Sequence, residues 1–204
     1  MNSKSKLKAF FDSKQDNQQY IEKYEENLAF FNDLLKNGHK EDIEFVIPIK
    51  MYKYADPLNL TGNYSQALEV LAEIDNDLDK IKGQSKWYNQ YLEGMIFLKG
   101  VCFARLKRYK DSNVEFEKIL RKNPDNDKYI DWFKSNKENI VADLMNKIMY
   151  IGIGFYVLIM IIGWFGYKIE NLIIRDIGFV IGLLAFVTSY IWRKVIKKRD
   201  VRLS

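Results

Sequence analysis

Residues that carry sulfur and imidazole chemistry are scarce in this sequence. There is one cysteine, Cys102, and one histidine, His39. No disulfide can close within the chain, and no Cys/His metal framework can be assembled. Cys102 stands in an apolar helical run, Val101-Cys102-Phe103-Ala104, and reads as a small buried hydrophobe. His39 lies in Asn37-Gly38-His39-Lys40 and reads as a loop residue with no second histidine to work with. The sequence also contains no Walker loop, no Gly-x-Ser-x-Gly and no HExxH. These absences exclude the common hydrolase, nucleotide-binding and metalloprotease chemistries, so the expectation is a protein that is not an enzyme and needs no cofactor or metal. Asp75, Asp77 and Asp79 recur at every second position, which does not converge three carboxylates on one ion along a helix. They read as a solvated acidic helix end. The N-terminal MNSKSKLKAFFDSK lacks the apolar core of a secretory signal, so membrane delivery has to come from the C-terminal segments.

The net charge of +5 and the pI near 9.0 are local. Arg193, Lys194, Lys197, Lys198, Arg199 and Arg202 stand against the single acid Asp200 in the tail, and this excess equals that of the whole chain. No nucleic-acid-binding face is implied.

A long hydrophobic run is absent from the first two thirds and then appears. Ile148 to Tyr167, IMYIGIGFYVLIMIIGWFGY, has 20 residues and no charge. At ~1.5 Å per residue it covers about 30 Å, the thickness of a bilayer core, and it has no polar stripe. A second run, Ile177 to Trp192, has 16 uncharged residues and is preceded by Arg175 and Asp176, which the simplest reading places at the interface, the alternative being an intramembrane charge serving a pore or relay. Tyr150, Trp164, Tyr167, Tyr190 and Trp192 mark the span ends. The basic tail and Lys134, Lys137 and Lys147 outnumber Lys168 and Arg175 at the tip, so the expected topology is a hairpin with both termini cytoplasmic. That side of the membrane leaves the triplets Asn59-Leu60-Thr61 and Asn63-Tyr64-Ser65 unglycosylated. Gly178 and Gly182 form a GxxxG for close helix packing, either against the first span or between copies.

The preceding region repeats itself. Gly62-Asn63-Tyr64, Ala67, Leu71 and Ile74 are echoed by Lys107-Arg108-Tyr109, Ser112, Phe116 and Ile119. Gly100 precedes the second copy and Pro124 follows it. This pattern resembles the tetratricopeptide repeat, a helix–turn–helix unit of about 34 residues. The better copy spans about Glu93 to Asn126 and the weaker about Pro48 to Ile81, with an insertion around Gly83-Gln84-Ser85. The weaker copy departs from the family at Asp56-Pro57, where a kink or early helix end is expected. Gln18 to Lys36 carries Tyr20, Ile21, Tyr24, Leu28, Phe31, Leu34 and Leu35 at helical spacing, with Asp16 as N-cap and Gly38 as stop. After Pro124, Tyr129, Trp132, Phe133, Ile140, Val141 and Leu144 indicate a helix that packs on the last repeat. No proline or glycine interrupts it before the first span.

The expected architecture is therefore all-α. Capping helices occupy 1–40, tetratricopeptide-like hairpins 41–126, a capping helix 127–147, two transmembrane helices 148–192 and a basic tail 193–204. The resemblance implies a groove lined by the first helix of each repeat, which places Ile49, Tyr52, Lys53, Asp56, Phe97, Leu98, Val101 and Arg105 there. The Lys/Asn carboxylate clamp of the chaperone-tail-binding members is missing. The implied partner is an apolar peptide or helix, the alternative being that the N-terminal helix covers Tyr52 and Phe97. Two functions follow. One is a membrane-anchored scaffold that recruits a protein partner. The other is an oligomerising two-span effector or channel-like subunit, with the bilayer and further copies of the chain as its partners.

Overall fold

A computed structural model describes residues 7–10, 14–164 and seven positions between Val180 and Ile191. Among these residues the chain is helical and contains no strand. It divides into two units, Met1–Asn136 and Lys137–Ser204.

In the first unit, α1 (Asn17–Glu26) starts on a capping box. Asp16 Oδ1 accepts the Gln19 N–H at 2.8 Å, and Gln19 Oε1 accepts the Asp16 N–H at 3.3 Å. The single helix expected over 18–36 is broken at Asn27, whose φ of −107° and ψ of 13° leave the helical region and whose side chain donates to the Lys23 carbonyl. α2 (Leu28–Asn37) follows and stops at Gly38, as expected. The supposed loop at His39 is a helix start. The His39 N–H donates to Asp42 Oδ2 at 3.2 Å and opens α3 (Lys40–Lys50).

Asp56-Pro57 does not end the first helix of the weaker repeat. α3 passes through one wide π-turn, Met51–Ala55, into α4 (Asp56–Leu60). The Asp56 N–H reaches back to the Met51 carbonyl, five residues away. The wide turn sits where the Pro57 ring would otherwise collide with the carbonyl four residues before it, so the helix absorbs the proline instead of breaking.

α5 (Tyr64–Asp79), α6 (Tyr88–Arg105) and α7 (Tyr109–Leu120) complete two helical hairpins, with α5 packed on α6 and α6 on α7. Their turns match bond for bond at a spacing of 45 residues. Asn63 N–H bonds the Leu58 carbonyl and Gly62 N–H that of Asn59; Arg108 N–H bonds Phe103 and Lys107 N–H bonds Ala104. Both are Schellman turns. Their left-handed positions are Gly62 at φ 90° and Lys107 at φ 60°, followed by Asn63 at −83°, 53° and Arg108 at −85°, 58°.

The larger core joins α1 to α6. Phe31, Tyr24 and Tyr54 stack with centroids 4.6 and 4.3 Å apart, which ties the N-terminal helices to the first hairpin. Asp77 is not solvated. It is buried against Lys50 Nζ at 3.2 Å and Lys80 Nζ at 2.7 Å, and the buried Lys50 also meets Glu73 at 2.8 Å. A smaller core holds Val101, Phe116 and Ile119, covered by Phe97, Tyr129, Trp132 and Phe133. Gly100 is required there, because a Cβ would lie 2.9 Å from the buried Phe116 ring. Ser112 Oγ donates to the Gly100 carbonyl and accepts from Asn136 Nδ2, both at 2.7 Å.

The last described helix, α8, runs unbroken over Asp127–Trp164. Asp127–Leu158 is long and apolar enough to cross a membrane, and only 6% of its most apolar stretch is buried. Ile151, Leu158 and Met160 are all more than half exposed, unlike the residues of a soluble core helix. Most of the second expected span lies outside the described residues, as do Arg175, Asp176, Gly178, Gly182 and the tail.

Candidate functional site

The expected groove residues separate into three groups. Ile49, Leu98 and Val101 are buried and belong to the cores. Lys53 is half-buried, with its Nζ 2.7 Å from the Tyr20 hydroxyl and 4.2 Å above that ring, so α1 covers it. Arg105 is exposed at the end of α6. Tyr52, Asp56 and Phe97 remain, and they meet residues that the repeat pattern does not point to.

Tyr52 is 40% exposed and lies across α6 at Gly94, where a Cβ would come within 2.6 Å of its hydroxyl. Gly94 thus gives the ring its seat. Burial raises the Tyr52 hydroxyl above its ordinary value, and the carboxylates of Asp56 and Glu93 raise it further. Burial also lifts the Asp56 carboxyl, while a hydrogen bond with Asn59 and the charge of Lys128 act in the other direction. Tyr91 is raised by burial, then by Glu44 and Tyr52.

Next to Gly94 on α6, Tyr129 donates to Glu93 Oε1 at 2.6 Å, and its ring lies 5.7 Å from that of Phe97. Lys128 Nζ sits 4.1 Å above the Phe97 centroid. Burial first, then the bond to Glu93, pushes the Tyr129 hydroxyl to about 12. The result is a patch of rings and two carboxylates built from three helices: Tyr52 and Asp56, then Glu93, Gly94 and Phe97, then Lys128 and Tyr129. Helical spacing accounts for the first two groups. Lys128 and Tyr129 join only through the packing of α8, which no short motif encodes.

This arrangement can hold apolar and cationic groups. Cys102 is buried, faces Asn59 Oδ1 at 3.7 Å and is pushed to about 12 by burial and Asp56, so it stays a thiol. Among the described residues no group of three or more His, Cys, Asp or Glu side chains is placed to hold a metal ion. A comparison with protein-family models found no match, and comparisons with curated proteins and with solved structures found none either.

Proposed function

We propose that the chain is a membrane-anchored adaptor of the tetratricopeptide-like type. Its paired hairpins recruit a protein partner at the cytoplasmic face, a two-span hairpin over 148–192 holds them there, and both termini are cytoplasmic. The observation that carries this reading is the pair of Schellman turns 45 residues apart, matched in hydrogen bonding and similar in backbone angles. Two such hairpins stacked side by side are the unit of a helical repeat array, and such arrays work by presenting a continuous face to a partner. The half-exposed Tyr52, beside Asp56, Glu93 and Phe97, supplies a recognition surface on that face. The long apolar α8 and the basic residues at its flanks support the anchor.

The test is an affinity pull-down from gently solubilised native membranes. The full chain is compared with one whose residues 148–192 are exchanged for an unrelated two-span anchor, and with a Tyr52→Ala, Phe97→Ala variant. Recovery of the same partner with the exchanged anchor, lost in the double variant, supports recruitment. Recovery that survives the double variant and disappears with the exchanged hairpin would make the membrane segment the working part.

A further inference from the structure

Asp56 feels the positive charge of Lys128, and Glu93, on the neighbouring helix, accepts from the Tyr129 hydroxyl. That lysine is held by little: its Nζ lies over the Phe97 ring, while its backbone occupies the first turn of α8, where the helix dipole repels positive charge. Lys128 is exposed, whereas Asp56, Glu93, Phe97 and Tyr129 are each half-buried. Two tilted rings, Phe97 and Tyr129, beside carboxylates form a receptacle for a positive side chain, because the ring face and the carboxylate attract the same charge from different directions. A planar guanidinium suits it better than an ammonium, since it can lie flat on Phe97 and pair with Asp56 at once.

We infer that the site takes an arginine, flanked by apolar residues, from a partner peptide, and that Lys128 is an internal occupant displaced on binding. This inference rests on the adaptor reading and narrows it: the partner is a cationic apolar segment, not an acidic one. Tyr52, seated on Gly94, and Tyr129, fixed by Glu93, then border the arginine. The Lys128 contact makes the site self-limiting, because the incoming side chain must first compete with a tethered one.

The test uses the full chain in mild detergent and three fluorescent peptides, Leu-Ala-Leu-Arg-Leu-Ala-Leu and its Gln and Glu counterparts, with empty micelles as the blank. The arginine peptide should bind on the order of tenfold more tightly than the glutamate peptide, and Asp56→Asn should remove most of that preference. Lys128→Ala should strengthen arginine-peptide binding severalfold, the opposite of what loss of a structural contact would do. Unfolding curves of both variants establish that they are folded. Equal binding of the three peptides, abolished by Tyr52→Ala, would overturn the arginine assignment and leave the groove intact as a docking face. No binding of any peptide, to the native chain or to Lys128→Ala, would also overturn it, and the pull-down would then decide the adaptor reading separately. Weaker binding in Lys128→Ala would make Lys128 part of the recognition surface and overturn the displacement.

Discussion

The first hairpin, Lys40 to Asp79, and the second, Tyr88 to Leu120, turn through the same backbone but are secured by different chemistry. The first uses Gly62 at its left-handed position, Ala67 and Leu71 at its helix contact, and a buried ion-pair network of Lys50, Glu73 and Asp77. The second accepts Lys107 at the left-handed position, closes its helices on a bare Gly100 against Phe116, and replaces the alanine with Ser112, whose hydroxyl links α6 to the start of α8. One backbone solution therefore tolerates either an electrostatic or a steric lock. The steric lock lies in the smaller core, where Phe97, Phe116, Tyr129 and Trp132 form a chain of ring contacts.

The largest expected effect falls on the electrostatic side. Asp77→Asn leaves Lys50 buried with only the exposed Glu73, and should cost about 3–5 kcal/mol in urea unfolding of the detergent-solubilised chain. Lys50→Met combined with Asp77→Leu removes both buried charges and should be close to neutral by the same measurement. Equal losses would mean the network contributes net stability and is not merely balanced.

On the steric side, Gly100→Ala should destabilise by about 1–3 kcal/mol, because the fully buried Phe116 ring cannot retreat. Gly94→Ala, six residues earlier on the same helix, meets only the half-exposed Tyr52 hydroxyl and the flexible end of Met51. It should leave stability within about 1 kcal/mol, the gain in helix propensity offsetting the contact. Its effect should appear in partner recovery instead.

Alkaline pH separates the two regions more gently. Burial holds Tyr54 and Tyr129 at about 12 against an ordinary 10.0, and Cys102 at about 12 against 9.0. The unfolded chain loses these protons first, so it binds fewer protons than the folded chain. Stability should therefore fall, through these groups, as pH rises from 9 toward 12. Tyr54→Phe should flatten the slope, as read from unfolding midpoints across that range. The smallest effect belongs to the turns. Lys107→Gly should stabilise by about 1 kcal/mol by relieving its left-handed backbone, while Gly62→Ala should destabilise by a similar amount.

Much of this comparison was legible in the residues themselves. The echo of Gly62, Tyr64, Ala67 and Leu71 in Lys107, Tyr109, Ser112 and Phe116 locates both turns, because left-handed caps and small contact positions leave local marks. Gly38 and Asp16 mark helix ends for the same reason. What escaped is what depends on distant partners. A proline usually signals a helix end, and only the surrounding packing around Met51 and Tyr54 lets the helix widen instead. Asp77 looks like a surface acid until Lys50, 27 residues earlier, is folded onto it. In the candidate site, Tyr52, Asp56 and Phe97 are positions the tetratricopeptide resemblance implies, and Glu93 and Gly94 share the Phe97 face by helical spacing, whereas Lys128 and Tyr129 arrive only through tertiary contacts.

The separation of the helical unit at Asn136 also bears on the order of events during synthesis. All the contacts that define its two cores lie upstream of the apolar stretch of α8, and most join neighbouring helices. Local helical contacts of this kind form in microseconds to milliseconds, while a ribosome adds about 5–20 residues per second, so residues 137–204 take several seconds to make. The patch around Tyr52 and Phe97 therefore has time to form on the nascent chain before the apolar stretch is complete.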